Sequence, residues 1–193
     1  TEDAVGLRAE FDNSEVCDRT GCPLHASYLP SRFRWLGRTQ PHITAMVDRW
    51  VSFGEYLYGC LFGRSCGLTV SVAAWSGLLD RRTMDWDPVT LDAIGIDPGV
   101  LGRVDVEGVP VRGLIEPWAS RWPALGDAPW FPPLPDGMCS NIGTMPLESQ
   151  SIVVSIGTSA AVRAILPGPV PTVPHGLWEY RIGSGRSIVG GAS

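Results

Sequence analysis

The sequence predicts an α/β chain, and three observations carry that expectation. Helical-period segments and β-branched, alternating runs both occur and succeed one another along the chain. Turns rich in Gly, Pro, Asp and Ser separate them. A length of 193 residues with 44% hydrophobic content gives enough apolar material for one full domain or for parts of two.

Taken in order, the elements are unequal in clarity. Leu7, Phe11 and Val16 form one weak helical face in a polar, charged start, and Thr20-Gly21-Cys22-Pro23 is turn chemistry. Leu24, Tyr28, Leu29, Phe33 and Leu36 recur at near-helical spacing, predicting a helix from Leu24 to Leu36 despite Pro30, with Arg32, Arg34 and Arg38 on its solvated face. Trp50 to Phe53 reads as a strand-like piece, and Gly54 to Phe62 as a short helix capped by Gly63. Periodicity alone leaves Thr69 to Leu79 open between buried helix and strand. Asp87-Pro88 supplies an N-cap and first turn for a helix through Ile94, stopped by Gly95. Val104, Val106, Val109 and Val111 alternate as a strand, followed by an irregular Trp-rich piece.

Pro129, Pro132, Pro133 and Pro135 exclude helix and carry the chain extended into Asp136, after which Gly137 to Gly143 holds one or two helical turns. Ser151 to Ile156 and Ala160 to Leu166 then form strands around Gly157-Thr158-Ser159, and Trp178 to Ile182 and Ser187 to Val189 form a second pair. Pro167 to Pro174 is expected to loop outward. A domain boundary fits best near Glu148 to Gln150, leaving helices and mixed segments in 1–148 and a meander of strands in 149–193.

Composition narrows the chemistry. A net charge of −5 without a block of like charges argues against a nucleic-acid partner. No apolar run approaches a membrane span and the start is acidic, so the chain reads as cytoplasmic with no membrane partner. Five cysteines, an odd set without a C-x-x-C pair, read as ordinary reduced, buried thiols, and no metal site is expected. All fifteen basic residues are arginine. Without lysine the chain has no Walker A loop, Schiff base or Ser-Lys dyad, and a phosphate here rests on backbone N–H groups, Ser/Thr hydroxyls, arginine or a metal.

Two features then point to phosphoryl transfer. Asp136 is placed to orient and deprotonate an attacking hydroxyl, and Gly137 removes side-chain bulk beside it. Gly157-Thr158-Ser159 offers consecutive N–H groups and two hydroxyls to an oxyanion. Singly, each has an ordinary alternative, a helix cap and a hairpin turn. Together, about twenty residues apart, they carry more. His25 and His42 lack metal-ligand spacing, Tyr28 sits on an apolar face, Asp85 and Asp87 begin a helix, and the eight scattered tryptophans favour packing roles.

The chain resembles the FGGY family of carbohydrate kinases, most of all its gluconokinase-type members. The resemblance rests on Thr20-Gly21-Cys22-Pro23-Leu24-His25 with Arg34-Trp35-Leu36, on Ala73 to Asp80 with Trp86-Asp87, on Asp136-Gly137 with Asn141 and Gly143, and on Ser155 to Ser159. Leu177-Trp178 and Gly190-Gly191-Ala192 extend it over nearly the whole chain. It implies a ribonuclease-H-like, actin/hexokinase-type two-domain ATPase fold, only partly present. In that frame, 1–148 is the later part of the sugar-binding domain and 149–193 the beginning of the ATP-binding domain.

The implied activity is ATP-dependent phosphorylation of a sugar or sugar acid, gluconate favoured, with ATP and Mg²⁺ as cofactors. Asp136 matches the general base, Gly157 and Thr158, with Ser159, the second phosphate loop, and His25, Tyr28 and Gly137 the substrate side. A homodimer is compatible with the resemblance. The sequence departs from the family pattern as well. No Asp-x-Gly-Thr loop, glycine-rich adenosine segment or C-terminal helices occur, Leu134-Pro135 stands where relatives carry glycine before the Asp, and Met138 replaces a small residue. The expectation is a middle piece, inactive alone. The alternatives are a non-catalytic, sugar-binding or regulatory relative, and a Trp-rich carbohydrate-binding module, which the helical segments fit poorly.

Overall fold

In a computed structural model the described residues are 2–105, 108–144 and 151–192. The first apolar face is divided between two helices, α1 (Glu2–Glu10) and α2 (Asn13–Thr20), because the Asp12 side chain accepts from the Ser14 and Glu15 amides and starts the second. Leu7 and Val16 meet Leu24 in one buried cluster. The next helix, α3 (Leu29–Thr39), begins five residues later than the spacing predicts and runs past Gly37. Pro30 is the reason: its ring clashes with helical backbone upstream but is harmless in a first turn, so His25 to Tyr28 form a turn instead. Arg34 and Arg38, expected as solvated, pair with Glu10 and Asp3 of the first helix at 2.5 and 3.0 Å.

After α4 (Pro41–Thr44), the strand expected at Trp50 to Phe53 is reduced to a bridge between Trp50 and Leu101. A reciprocal Ser52–Glu55 capping box and Gly63 bound α5 (Phe53–Phe62), as the cap residues imply. The ambiguous apolar run resolves into β1 (Leu68–Thr69), α6 (Val70–Ala74) and β2 (Leu79–Asp80), the Thr69 hydroxyl accepting the Val72 amide to start the helix. Then come β3 (Asp85–Trp86), antiparallel to β2, and α7 (Pro88–Ile94), with the predicted Asp87 and Gly95 ends. Among the described residues the alternating valines yield β4 (Val104–Asp105), parallel to β1, and an isolated bridge from Val111 to Trp130. Val106 lies outside the described residues. A short α8 (Trp118–Arg121) precedes α9 (Asp136–Thr144).

The C-terminal part is one antiparallel sheet of β5 (Ile152–Ile156), β6 (Ala160–Pro167), β7 (Trp178–Ile182) and β8 (Arg186–Ala192), in the order β5-β6-β8-β7. Ile165, Trp178, Tyr180 and Ile188 from its inner face share a core with Cys22, Val70, Ala73, Ala74 and Leu79. Burying each such large apolar side chain stabilises by about 1.5–3 kcal/mol. The outer face leaves Ile152, Val154, Ile156 and Val162 exposed. The domain boundary expected near 148–150 falls outside the described residues.

A buried ion network fastens this sheet to the helical part. Arg81, 1% exposed, donates to Asp18 Oδ1 at 2.8 Å and to Glu179 Oε2 at 2.6 Å. Its remaining donors reach the carbonyls of Asp18, Val170 and Pro171. Glu179 is itself 0% exposed, so removing the guanidinium strands a buried carboxylate. We expect Arg81→Met to cost about 3–5 kcal/mol in urea denaturation; a loss under about 1 kcal/mol would assign the network no stabilising role.

Asp18 makes the network pH-sensitive. Burial, the strongest influence on its carboxyl, pushes upward, but hydrogen bonds from Arg82, the Val173 amide and Arg81 together hold it below the ordinary range. Folded Asp18 therefore binds its proton less readily than unfolded Asp18. The stabilisation is complete above the unfolded value of about 3.9 and disappears as pH falls through the lower folded value. Thermal melts between neutral pH and about pH 3 should lose midpoint more steeply for the native chain than for Asp18→Asn; parallel profiles contradict this.

Candidate active site

The approach to Asp136 is held at several points. Tyr58 Oη donates to the Phe131 carbonyl, the Thr69 hydroxyl donates to that of Pro133 at 3.2 Å, and Pro133 packs on Gly54. Pro135 then accepts the first helical bond from Cys139, placing Asp136 at the exposed N-terminal end of α9. There the helix dipole favours a negative charge by about 0.3–1 kcal/mol. One carboxylate oxygen accepts the Gly137 amide at 2.6 Å. Asp136 thus makes a first-turn contact and still presents its carboxylate to solvent.

Gly137 is buried, and the space its side chain would need is taken. A Cβ there would lie 2.6 Å from Trp75 Cη2 and 3.3 Å from Arg163 Nη2. In this structure, then, the glycine admits a tryptophan ring. Gly137→Ala is expected to destabilise the fold by about 1–3 kcal/mol, read from the denaturant midpoint; an unchanged midpoint would show that Trp75 can move aside.

The predicted turn is a hairpin end. Ile156 pairs with Ala160, and Gly157, Thr158 and Ser159 are all exposed. The Gly157 amide donates to the Ser159 carbonyl at 2.9 Å. A Cβ on Gly157 would meet only that carbonyl, at 3.9 Å, so the turn is open to a ligand. Its free features are the Thr158 and Ser159 hydroxyls and amides, a donor set suited to phosphate oxygens.

The two substrate-side candidates are differently placed. His25 is exposed, with Nδ1 bonded to the Ser27 hydroxyl at 2.9 Å. The Tyr28 ring packs against the main core and its hydroxyl shares a 2.6 Å hydrogen bond with that of Tyr180. Burial pushes both phenols well above their ordinary range, so both stay neutral. Tyr180 lies 4.6 Å from Trp75 by ring centroids, and Trp75 touches Gly137, so Tyr28 and Gly137 stand at the two ends of one aromatic seam. Among the described residues no hydrogen bond or ion pair joins His25 to Asp136 or to the turn.

Sequence reasoning gave no site role to Trp75, Asn141 or Arg163, although Trp75 and Asn141 stand in the stretches that carry the resemblance. Arg163 carried a signal: it is the one charged residue in the apolar run Ala160 to Leu166, in alternation with Ala161 and Ile165, both buried. Trp75 also lines a cavity of about 450 Å³ with Trp50, Glu55 and Trp86, in which Asp136 and the turn take no part. Three cysteines are buried as expected, burial pushing Cys17 up to about 11, but Cys60 and Cys139 are exposed. Among the described residues no group of three or more His, Cys, Asp or Glu could hold a metal, and no helix is long and apolar enough to cross a membrane.

Residues 2–122 match the model of the N-terminal domain of the FGGY family of carbohydrate kinases. The gluconokinase of Bacillus subtilis (strain 168) is 25% identical over 96% of this chain, which spans 36% of that relative's length. An autoinducer-2 kinase of Enterobacter sp. (strain 638) is 30% identical over 56% of this chain and 20% of its own. The fold is shared with the gluconate kinase of Lactobacillus acidophilus, at TM-score 0.88, 20% identity and coverage of 98% of this chain and 38% of that one. Plasmodium falciparum glycerol kinase with ADP superposes at TM-score 0.85, 17% identity and coverage of 99% and 39%.

Proposed function

Because this chain belongs to the FGGY family of carbohydrate kinases, we propose that it carries part of the machinery for ATP-dependent phosphorylation of a sugar acid, gluconate in particular. The observation that carries the reading is the nearness of an exposed helix-terminal carboxylate, Asp136, to the strand that leaves an open Gly157-Thr158-Ser159 turn: the Cβ position of the next residue, Gly137, lies 3.3 Å from Arg163 Nη2 on that strand. In this reading Asp136 accepts the proton of the attacking hydroxyl, and its first-turn position holds the carboxylate still while it does so. In a loose transition state the proton leaves late, so an ordinary carboxylate suffices.

The turn fits a phosphate, since its hydroxyls are exposed and nothing fills the space beside Gly157. ATP, when bound, supplies the phosphoryl group, with Mg²⁺ neutralising its charge. The described residues offer no acidic cluster for the metal, so we assign Mg²⁺ to the nucleotide's own phosphates. The ADP named with the glycerol kinase neighbour supports a nucleotide here, and the gluconokinase relative supports gluconate.

We assign 1–148 to the later part of the sugar-binding domain and 149–193 to the beginning of the ATP-binding domain, with the cytoplasm as the site of action. The Asp-x-Gly-Thr loop of the family pattern has no counterpart among the 193 residues, so turnover is assigned to a polypeptide that joins this segment to such a loop. The same feature favours a second reading, a non-catalytic sugar-binding relative. Within a polypeptide carrying both loops, Asp136→Asn is expected to lower kcat for gluconate about 10²–10⁴-fold with KM little changed. Near-normal turnover would remove Asp136 as base, and no ATP-dependent phosphorylation by the unmodified protein would favour the second reading.

A further inference from the structure

Among the described residues, three buried side-chain atoms have no hydrogen-bond partner on elements that meet at Gly137 or lie one helical turn from it: Trp75 Nε1, Arg163 Nε and Asn141 Oδ1. Gly137 and Asn141 are four residues apart and share one face of α9. That face abuts Trp75 and the Arg163 guanidinium, whose Nη2 comes within 3.3 Å of a Cβ position on Gly137. Asn141 is 2% exposed, so its amide oxygen has no bulk water to turn to. Arg163 makes no ion pair or hydrogen bond among the described residues, whereas Arg19, Arg34, Arg38, Arg81 and Arg82 all pair with carboxylates. Among the described residues, then, a cation and a buried acceptor without partners both border the face of α9 that starts at the residue after the proposed base, a donor–acceptor set suited to a ligand that carries both complements.

We infer that Arg163, with Asn141 and Trp75, forms a specificity site that reads the carboxylate of a polyhydroxy acid whose hydroxyl faces Asp136. The inference rests on the kinase reading and deepens it. A guanidinium presents a planar fork of N–H donors that matches a carboxylate, and the indole N–H adds another. Asn141 Oδ1 accepts from a hydroxyl. An aldonate supplies both groups on one short chain; a neutral sugar alcohol supplies only hydroxyls and leaves the arginine unpaired. The register fixes the place: Arg163 lies opposite Gly190, whose next partner is Trp178, so its side chain leaves the inner, core-facing side of the sheet. It lies four positions from Ser159 along the strand, about 13 Å at the usual rise. That spacing sets an acid-reading end apart from a phosphate-reading end.

The test is calorimetric titration of the polypeptide that joins this segment to an Asp-x-Gly-Thr loop with D-gluconate, D-glucitol and ATP, with circular dichroism to verify folding of each variant. The unmodified polypeptide should bind gluconate at least about tenfold more tightly than glucitol. Arg163→Gln should abolish that preference by lowering gluconate affinity at least about tenfold more than glucitol affinity, and Arg163→Lys, which keeps the charge but not the fork, should fall between. Equal affinity for the two polyols, no gluconate binding by the unmodified polypeptide, or a parallel loss of both ligands in the two Arg163 variants overturns the inference. Loss of ATP affinity with gluconate binding intact also overturns it, assigning the arginine to nucleotide phosphates. The kinase reading fails separately: Arg163-dependent gluconate binding together with normal turnover of Asp136→Asn leaves the carboxylate site standing and removes the base.

Discussion

The structure depends first on one guanidinium. Arg81 sits on the turn after β2 and reaches α2 through Asp18, β7 through Glu179, and the loop before β7 through the Val170 and Pro171 carbonyls. A charge so fully buried is tolerable only because its donors find acceptors and two carboxylates offset it. Lysine, with three donors and no planar fork, could not make the same set of contacts. Beside it, the Gly21 carbonyl accepts the Glu179 amide at 2.8 Å, and at φ 76° its absent side chain lets β7 lie against the end of α2.

A second, apolar seam runs from that junction to the candidate site. Trp178 stacks on Tyr180 with centroids 4.3 Å apart, Trp75 packs on both, and its far edge fills the place of a side chain on Gly137. Aromatic pairs of this kind add about 0.5–1.5 kcal/mol each beyond their burial. Their structural effect is positional: the seam ends against α9 at Gly137, one residue from Asp136, where the Arg163 guanidinium of β6 also approaches. The ion network and the seam act on the same strand, β7, from its two faces.

Elements with a local stop or start signal were legible. Asp87-Pro88 with Gly95, Ser52 with Glu55 and Gly63, and the Gly157-Thr158-Ser159 hairpin each appear where their chemistry places them, since capping and turn preferences act over a few residues. The helix expected from Leu24 starts instead at Leu29 because Pro30 fits a first turn and not a position further in, a local rule that outweighs the apolar spacing. Of the strand expected across Val104 to Val111, the described residues show Val104–Asp105 paired in parallel with Leu68–Thr69 and Val111 bridged to Trp130, since alternation states only that a run can pair and the partners available decide where.

The sequence by itself determined the α/β class, the exclusion of lysine chemistry, the acid at Asp136 and the hydroxyl-bearing turn, because residue type and short-range spacing fix those. Only the tertiary structure decided what surrounds them. Gly137 proved to be the seat of a tryptophan 62 positions upstream, Tyr28 the partner of Tyr180, and Arg163 a cation against Gly137 without a partner among the described residues. Such contacts arise from packing between segments far apart in the chain, and no local preference of either partner encodes them.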